Sequence, residues 1–297
     1  MRRENNIAYN SDTVDVMIGS AQKAATSSLK ALLEQHLSIE THTSQECDYF
    51  ARKNQCWAEY RNRFFKGTSE ITLAKLAHLT NKETYLLRLR EHNPEVKIVF
   101  VLRDPMERLS SAYNMMGQQS WVDFSPDRFV QALEENEKGN YDLVHNVLIK
   151  PGDYGSVARK MLRLFDDRQI KFVNYDELIS NTEKTANELI SWIGLSSDYP
   201  LKLRHENAAK AVRSESFERS IERLRRSNVT KLSKKIVPYS VANRVSQSLA
   251  QLNRKEAVHG SRNAFPPNVY DMLSSFYETA DEEFMRFTGM PPYWIKN

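Results

Sequence analysis

Cysteine is scarce. Two residues in 297, Cys47 and Cys56, are too few for a disulfide framework, and no C-x-x-C spacing occurs. They read as free thiols in a reducing compartment. The seven histidines are scattered, with no H-E-x-x-H and no paired Cys/His cluster, so no metal is expected. No run of ~18 apolar residues is present, which argues against a membrane span. Met1-Arg-Arg-Glu-Asn-Asn6 is polar and no apolar h-region follows, so no signal peptide is expected and the chain reads as cytoplasmic and bacterial. The sequon Asn228-Val-Thr230 is then accidental. Neither sign of charge dominates: 42 Lys and Arg face 38 Asp and Glu, a net +4 that suits an anionic ligand without indicating nucleic acid.

What is present fits one α/β unit spanning 1–297. Hydrophobic content of 40% suffices for a core, and α/β folds of this length often form one domain. Strand signals lie at 13–18, 97–102 and 170–174. Helical patterns lie at 26–36, 70–78, 81–92, 105–116, 126–138, 153–165, 181–193 and 268–288. The alternation predicts a central parallel sheet flanked by helices on both faces, joined by right-handed crossovers. Ligands of such sheets bind at the carboxyl ends of the strands.

Two strand ends carry chemistry. The apolar run Val14–Ile18 ends at Gly19. Ser20-Ala-Gln-Lys-Ala-Ala25 follows, and Thr26-Ser-Ser28 opens a helical pattern. A strand, tight loop and helix cradle an anion: backbone N–H groups point at it and the helix dipole favours it. Lys23 adds a positive charge, and Thr26 and Ser27 add hydroxyls. The loop is not G-x-x-x-x-G-K-[ST], because Lys23 stands three residues before Thr26 and no second glycine is present. The second strand end is Lys97-Ile-Val-Phe-Val-Leu102, which runs into Arg103-Asp-Pro-Met-Glu-Arg-Leu-Ser-Ser-Ala-Tyr113. Pro105 fits the first helical position and Asp104 the cap before it. Two cradle-like turns suggest one ligand with two separated phosphate groups.

Together these segments resemble the PAPS-dependent sulfotransferases, PAPS being adenosine 3′-phosphate 5′-phosphosulfate. The first is similar to that family's 5′-phosphosulfate loop, with Lys23 at the loop lysine. The second is similar to its 3′-phosphate motif R-[DN]-P-x-x-R-x-x-S-x-Y, with Arg103, Pro105, Arg108, Ser111 and Tyr113 in register. Gln45-Glu-Cys-Asp-Tyr-Phe50 resembles the K-E-x-x-F-F stretch of the glycan branch, the heparan sulfate type and bacterial carbohydrate sulfotransferases, although glutamine stands for the lysine. Lys66-Gly-Thr-Ser69 is similar to a K-x-S-P-x-Y element lining the same cleft, without its proline and tyrosine.

The resemblance implies a three-layer, P-loop-like fold, PAPS as cofactor with adenosine 3′,5′-diphosphate (PAP) as product, and no metal. It implies a hydroxyl acceptor, with a glycan or glycolipid favoured. It places the 5′-phosphosulfate on Ser20, Ala21, Gln22, Lys23, Ala24, Ala25, Thr26 and Ser27, and the 3′-phosphate on Arg103 and Ser111. Lys23 offsets leaving-group charge, and Lys66 lines the acceptor cleft. Glu46 and His42 are both candidates for the base. Arg108 either contacts the ligand or pairs with Asp104 or Glu107 on the helix surface. Tyr113 and Trp294 are expected to pack.

Residues 202–255 hold fourteen Lys and Arg against Glu206, Glu215, Glu218 and Glu222. Segment 202–261 is expected to form a basic helical insert or flap, with Lys210 and Arg213 as lid contacts. Between Phe217 and Phe265 only Tyr239 is aromatic, so a nucleic-acid stacking surface is disfavoured. Competing readings are a P-loop-type small-molecule kinase, a non-enzymatic polyanion-binding module, and a sulfotransferase acting on a lipid or metabolite alcohol.

Overall fold

The computed structural model describes residues 12–66, 69–117, 125–196 and 265–295, together with the strand backbones 210–212 and 254–256. Five strands form one parallel sheet in the order β2-β3-β1-β4-β5: β1 Val16–Ser20, β2 Ile39–Thr41, β3 Ile71–Leu76, β4 Lys97–Leu102 and β5 Ile170–Asn174. Side chains alternate between two buried faces, as the period of two requires. Val16 and Ile18 of β1, and Val99 and Val101 of β4, meet α1 (Thr26–Leu33) and α8 (Thr182–Ile193). Met17, Ile98, Phe100 and Leu102 face the other way. They pack with α3 (Glu83–His92), α6 (Tyr154–Leu164) and Phe284 of the last helix, α9 (Pro267–Thr288). The result is three layers, helices on both faces of a parallel sheet.

One expected element is of the other kind. Segment 70–78 is read from the sequence as a helix, but Ile71–Leu76 is β3, buried at every position between β2 and β1. Leucine, alanine and lysine favour helix, and a strand covered on both faces shows no alternation to give it away. Short elements also escape the sequence reading: β2, α2 (Trp57–Phe64) and α7 (Tyr175–Ser180).

The chain moves from β1 outward to β2 in one direction, and from β3 across β1 to β4 in the other. Direction therefore reverses beside β1, and the crevice between the ends of β1 and β4 is where such sheets bind ligands. Register pairs Ser20 with Val101 there, and the Ser20 hydroxyl donates to the Val101 carbonyl at 2.7 Å.

A third cluster joins α4 (Pro105–Gly117), α5 (Pro126–Glu137), a π-helical turn at His145–Ile149 and α9. Tyr113 packs there against Phe129 and Phe265. A π turn disturbs the regular carbonyl partners, and two buried donors meet them. Arg108 donates to the Leu148 carbonyl, and the Tyr277 hydroxyl donates to that of Ile149 at 2.9 Å. Arg108 is thus fully buried and not paired on the surface of α4. Trp294 docks on the body, its ring beside Tyr154 and its indole N–H donating to Asp281 at 2.7 Å.

Within the basic segment, β6 (Lys210–Val212) and β7 (Arg254–Glu256) pair antiparallel, so these two stretches are strand where a helical insert is expected. The rest of 202–261, Arg213 included, lies outside the described residues.

Candidate active site

The loop after β1 sits at the crevice. Lys23 has φ 75° and Ala25 φ 57°. Neither is glycine, and left-handed backbone costs roughly 1–3 kcal/mol at such residues. Ala25 caps α1 without a side-chain hydrogen bond. The first-turn N–H groups of α1 are therefore not met by a cap side chain and can receive an anion.

The turn after β4 meets this loop. Asp104 caps α4, accepting from Met106 N at 2.9 Å and Glu107 N at 3.1 Å. This leaves Arg103 between the strand and the helix. Its Nη1 donates to the Lys23 carbonyl at 2.9 Å, its Nη2 lies 3.7 Å from Glu107, and its guanidinium stacks 4.5 Å from the Tyr175 ring. Arg103 Nε is buried without a partner among the described residues. Burial, and after it the Arg103 guanidinium, hold the Lys23 ammonium below the ordinary lysine value. Two cations this close, with an orphaned donor beside an uncapped helix, form a site that an anionic group completes. The donors fall in two groups, the α1 N-terminus with Lys23 and the Arg103 guanidinium, so a ligand with two anionic ends would suit them. Ser111 lies six residues into α4, partly exposed.

A second half of the site comes from β3. Lys75 points to the α1 face and is only 2% exposed. Its Nζ lies 2.6 Å from Glu46 Oε1 and 3.2 Å from Ser27 Oγ. Glu46 Oε2 accepts from Ala77 N at 2.8 Å. A carboxylate is thus held beside the start of α1 by one ammonium and one backbone N–H. The sequence reading omits Lys75 because it treats 70–78 as a helix. A lysine inside an apolar strand running into the sheet's carboxyl edge is the signal that could have found it.

His42 lies behind this pair. Its Nε2 accepts from Lys75 N at 3.0 Å and its Nδ1 meets Ser44 Oγ at 3.0 Å. The acceptor role fixes the tautomer with the proton on Nδ1. Burial, with Lys30 and Lys75 nearby, pushes its pKa down to about 3. Lys66 stands exposed just beyond α2, with no hydrogen bond or ion pair among the described residues. Lys210 is placed by its backbone in β6, opposite Glu256. Among the described residues no group of three His, Cys, Asp or Glu is disposed to hold a metal, and no helix is long and apolar enough to cross a membrane.

The sequence model of the sulfotransferase domain family matches residues 13–288. A bifunctional heparan sulfate N-deacetylase/N-sulfotransferase 1 of Caenorhabditis elegans is 24% identical over 188 residues, 61% of this chain and 22% of that protein. The chain thus matches about a fifth of that relative's length. Among solved structures, a sulfotransferase from Alicyclobacillus acidocaldarius is 14% identical with a TM-score of 0.63, covering 94% of this chain and 97% of that one. A mouse sulfotransferase complexed with PAP is 12% identical with a TM-score of 0.46, covering 94% and 86%. Matched by the family model across nearly all its described residues, the chain belongs to the sulfotransferase family.

Proposed function

We propose that this sulfotransferase sulfates a hydroxyl of a carbohydrate or glycolipid, with Glu46 as base and Lys23 stabilising the leaving group. The bound donor supplies an activated sulfuryl group, whose S–O bond to the 5′-phosphate breaks as the acceptor oxygen attacks sulfur. Positioning and charge stabilisation dominate such transfers.

Each residue has a task. Glu46 takes the acceptor's proton, and Lys75 with Ala77 N holds its carboxylate still. A positioned base contributes ~10²–10⁴-fold. Lys23 offsets charge on the bridging oxygen, and Arg103 holds the 3′-phosphate with Ser111. The α1 N-terminus holds the 5′ side. Lys210 and Arg213 close over the nucleotide, and Lys66 borders the acceptor. We favour Glu46 over His42 because the His42 Nε2 lone pair is taken by the Lys75 backbone. The lean to a sugar hydroxyl rests on the Glu46 stretch and on the heparan sulfate activity named in the nematode relative. A cytoplasmic setting suits the two free thiols, Cys47 and Cys56.

The observation that carries this reading is the 2.9 Å contact of Arg103 Nη1 with the Lys23 carbonyl, which joins the two phosphate turns. Thermal shift with PAP against ATP, with and without magnesium, tests the nucleotide. Stabilisation by PAP without magnesium is expected, and magnesium-dependent stabilisation by ATP alone would favour a kinase. Labelled sulfate transfer to a panel of sugar, lipid and metabolite alcohols, read by mass, then tests the acceptor.

A further inference from the structure

A groove of 160 Å³ lies between Thr80–Lys82 and the segment that runs from the π turn into α6. That is below the roughly 300–1,000 Å³ of a whole ligand pocket, so it can hold one end of a ligand. One wall is Thr80–Lys82, which begins three residues after Ala77, the N–H donor to Glu46. The opposite wall is the π turn and the start of α6. Tyr154, the first residue of α6, donates its hydroxyl to the Arg103 carbonyl at 2.8 Å. The groove is therefore built from segments tied to both the base and the nucleotide turn.

Its charge is mainly positive. Lys82, Lys150 and Lys160 line it, and among the described residues none of them has a salt-bridge partner. The single carboxylate in the lining, Asp153, caps α6, accepting from Ser156 N at 2.9 Å, and its charge also favours the Lys160 ammonium. Glu83, nearby, is paired with Arg163. Burial, and after it the Lys150 ammonium, hold Lys160 below the ordinary lysine value. Asn81 and Asn146 add neutral donors. Lys150 follows directly on the π turn that Arg108 and Tyr277 hold from beneath, so its backbone is fixed by buried contacts. Lys150 and Lys160 repel each other, and Lys82 lies over the Tyr85 ring at 5.9 Å from its centroid, so an oxyanion among these three ammoniums would be favoured.

The geometry points to an acceptor subsite for an anionic substituent, a carboxylate or a sulfate ester, carried by the acceptor near the hydroxyl that is sulfated. This rests on the sulfotransferase reading and narrows its acceptor to a charged one. A neutral sugar or a plain alcohol leaves the three lysines unmatched.

The test is equilibrium binding to the whole protein saturated with PAP. Three hexasaccharides serve as probes: galacturonic acid oligomer (carboxylate), sulfated galactan (sulfate ester) and cellohexaose (neutral). The charged probes are expected to bind at least tenfold more tightly than the neutral one, with affinity falling as salt rises. The stronger of the two charged probes identifies the anion. Lys150→Ala and Lys82→Ala should each weaken charged-probe binding about tenfold, the worth of one charge-assisted hydrogen bond. Neutral-probe and PAP affinities should stay unchanged. Equal binding of charged and neutral probes, binding of none, or unaltered binding in both variants would overturn the proposal. Loss of PAP binding by the unmutated protein would instead remove the sulfotransferase reading beneath it.

Discussion

Lys23 stands where two turns meet, close enough to Arg103 that burial and that guanidinium both disfavour its charge. In the proposed mechanism its ammonium acts on the leaving group more than on the ground state, so Lys23→Ala should nearly abolish turnover while PAP still binds measurably by calorimetry. Retained turnover would take Lys23 out of the chemistry. In the same proposal Lys75 works through Glu46, whose carboxylate lies 2.6 Å from its ammonium. Lys75→Met should lower kcat about 100-fold through the released Glu46 carboxylate, while PAP binding survives; unchanged kcat would show that the pair is only structural. His42 provides a contrast. With a folded pKa of about 3 against 6.5 unfolded, it takes no proton in the native state where the unfolded chain does. Stability therefore falls as pH drops below about 6.5, by roughly 1.4 kcal/mol per pH unit down to about 3. His42→Gln keeps an acceptor for Lys75 N, so it should retain activity and flatten this acid limb in denaturant titrations. Lost activity with intact folding would restore His42 as the base. That the turns carrying Lys23 and Arg103 lie at strand ends was legible because each turn is one continuous stretch of sequence. The pairing of Lys75 with Glu46 was not, because it depends on which strand lies beside which loop.

At the scale of elements, the sequence reading succeeds where turn chemistry marks the boundary. Asp104-Pro105 predicts the start of α4, and the cap bonds occur there. It fails at β3, where helix-favouring residues are overridden by burial between two neighbours. It also passes over the π turn, which exists because Arg108, Tyr277 and α9 satisfy it from elsewhere in the chain. The α6–α9 contact is similarly non-local. A Cβ placed on Gly155 would lie 2.6 Å from the Ala280 carbonyl oxygen and 2.5 Å from Glu283 Cβ. Gly155→Ala should therefore destabilise by about 1–3 kcal/mol, seen as a lower denaturation midpoint. Because α6 carries Tyr154 against Arg103, PAP affinity should weaken with it. An unchanged midpoint would mean that the two helices separate at little cost.

Across the whole molecule, the segment after α9 closes onto the end of β4 and back onto α9. Tyr293 donates to the Leu102 carbonyl at 3.0 Å, at the end of β4, and Trp294 bonds Asp281 in the middle of α9. Burial pushes the Asp281 carboxyl up to about 7, with Asp104 and Glu278 adding to the rise. The native state thus keeps a proton that the unfolded chain releases near pH 4, so this group's contribution declines as pH climbs from about 4 to 7. Asp281→Asn preserves an acceptor for Trp294. It should raise Tm by a few degrees at pH 8 and leave it unchanged at pH 4; equal shifts at both would refute the titration. Fold class was legible from the alternation of strands and helices. The strand order was not, since nothing local to β2 or β3 says that they fill one side of β1.

The central claim is that the turns after β1 and β4 grip opposite ends of one nucleotide. A crystal structure with PAP measures this directly. The account predicts the 3′-phosphate on Arg103, with Nε engaged, and the 5′-phosphate on Lys23 and the first N–H groups of α1. A nucleotide touching only one of the two turns, or bound away from the crevice between β1 and β4, would contradict it.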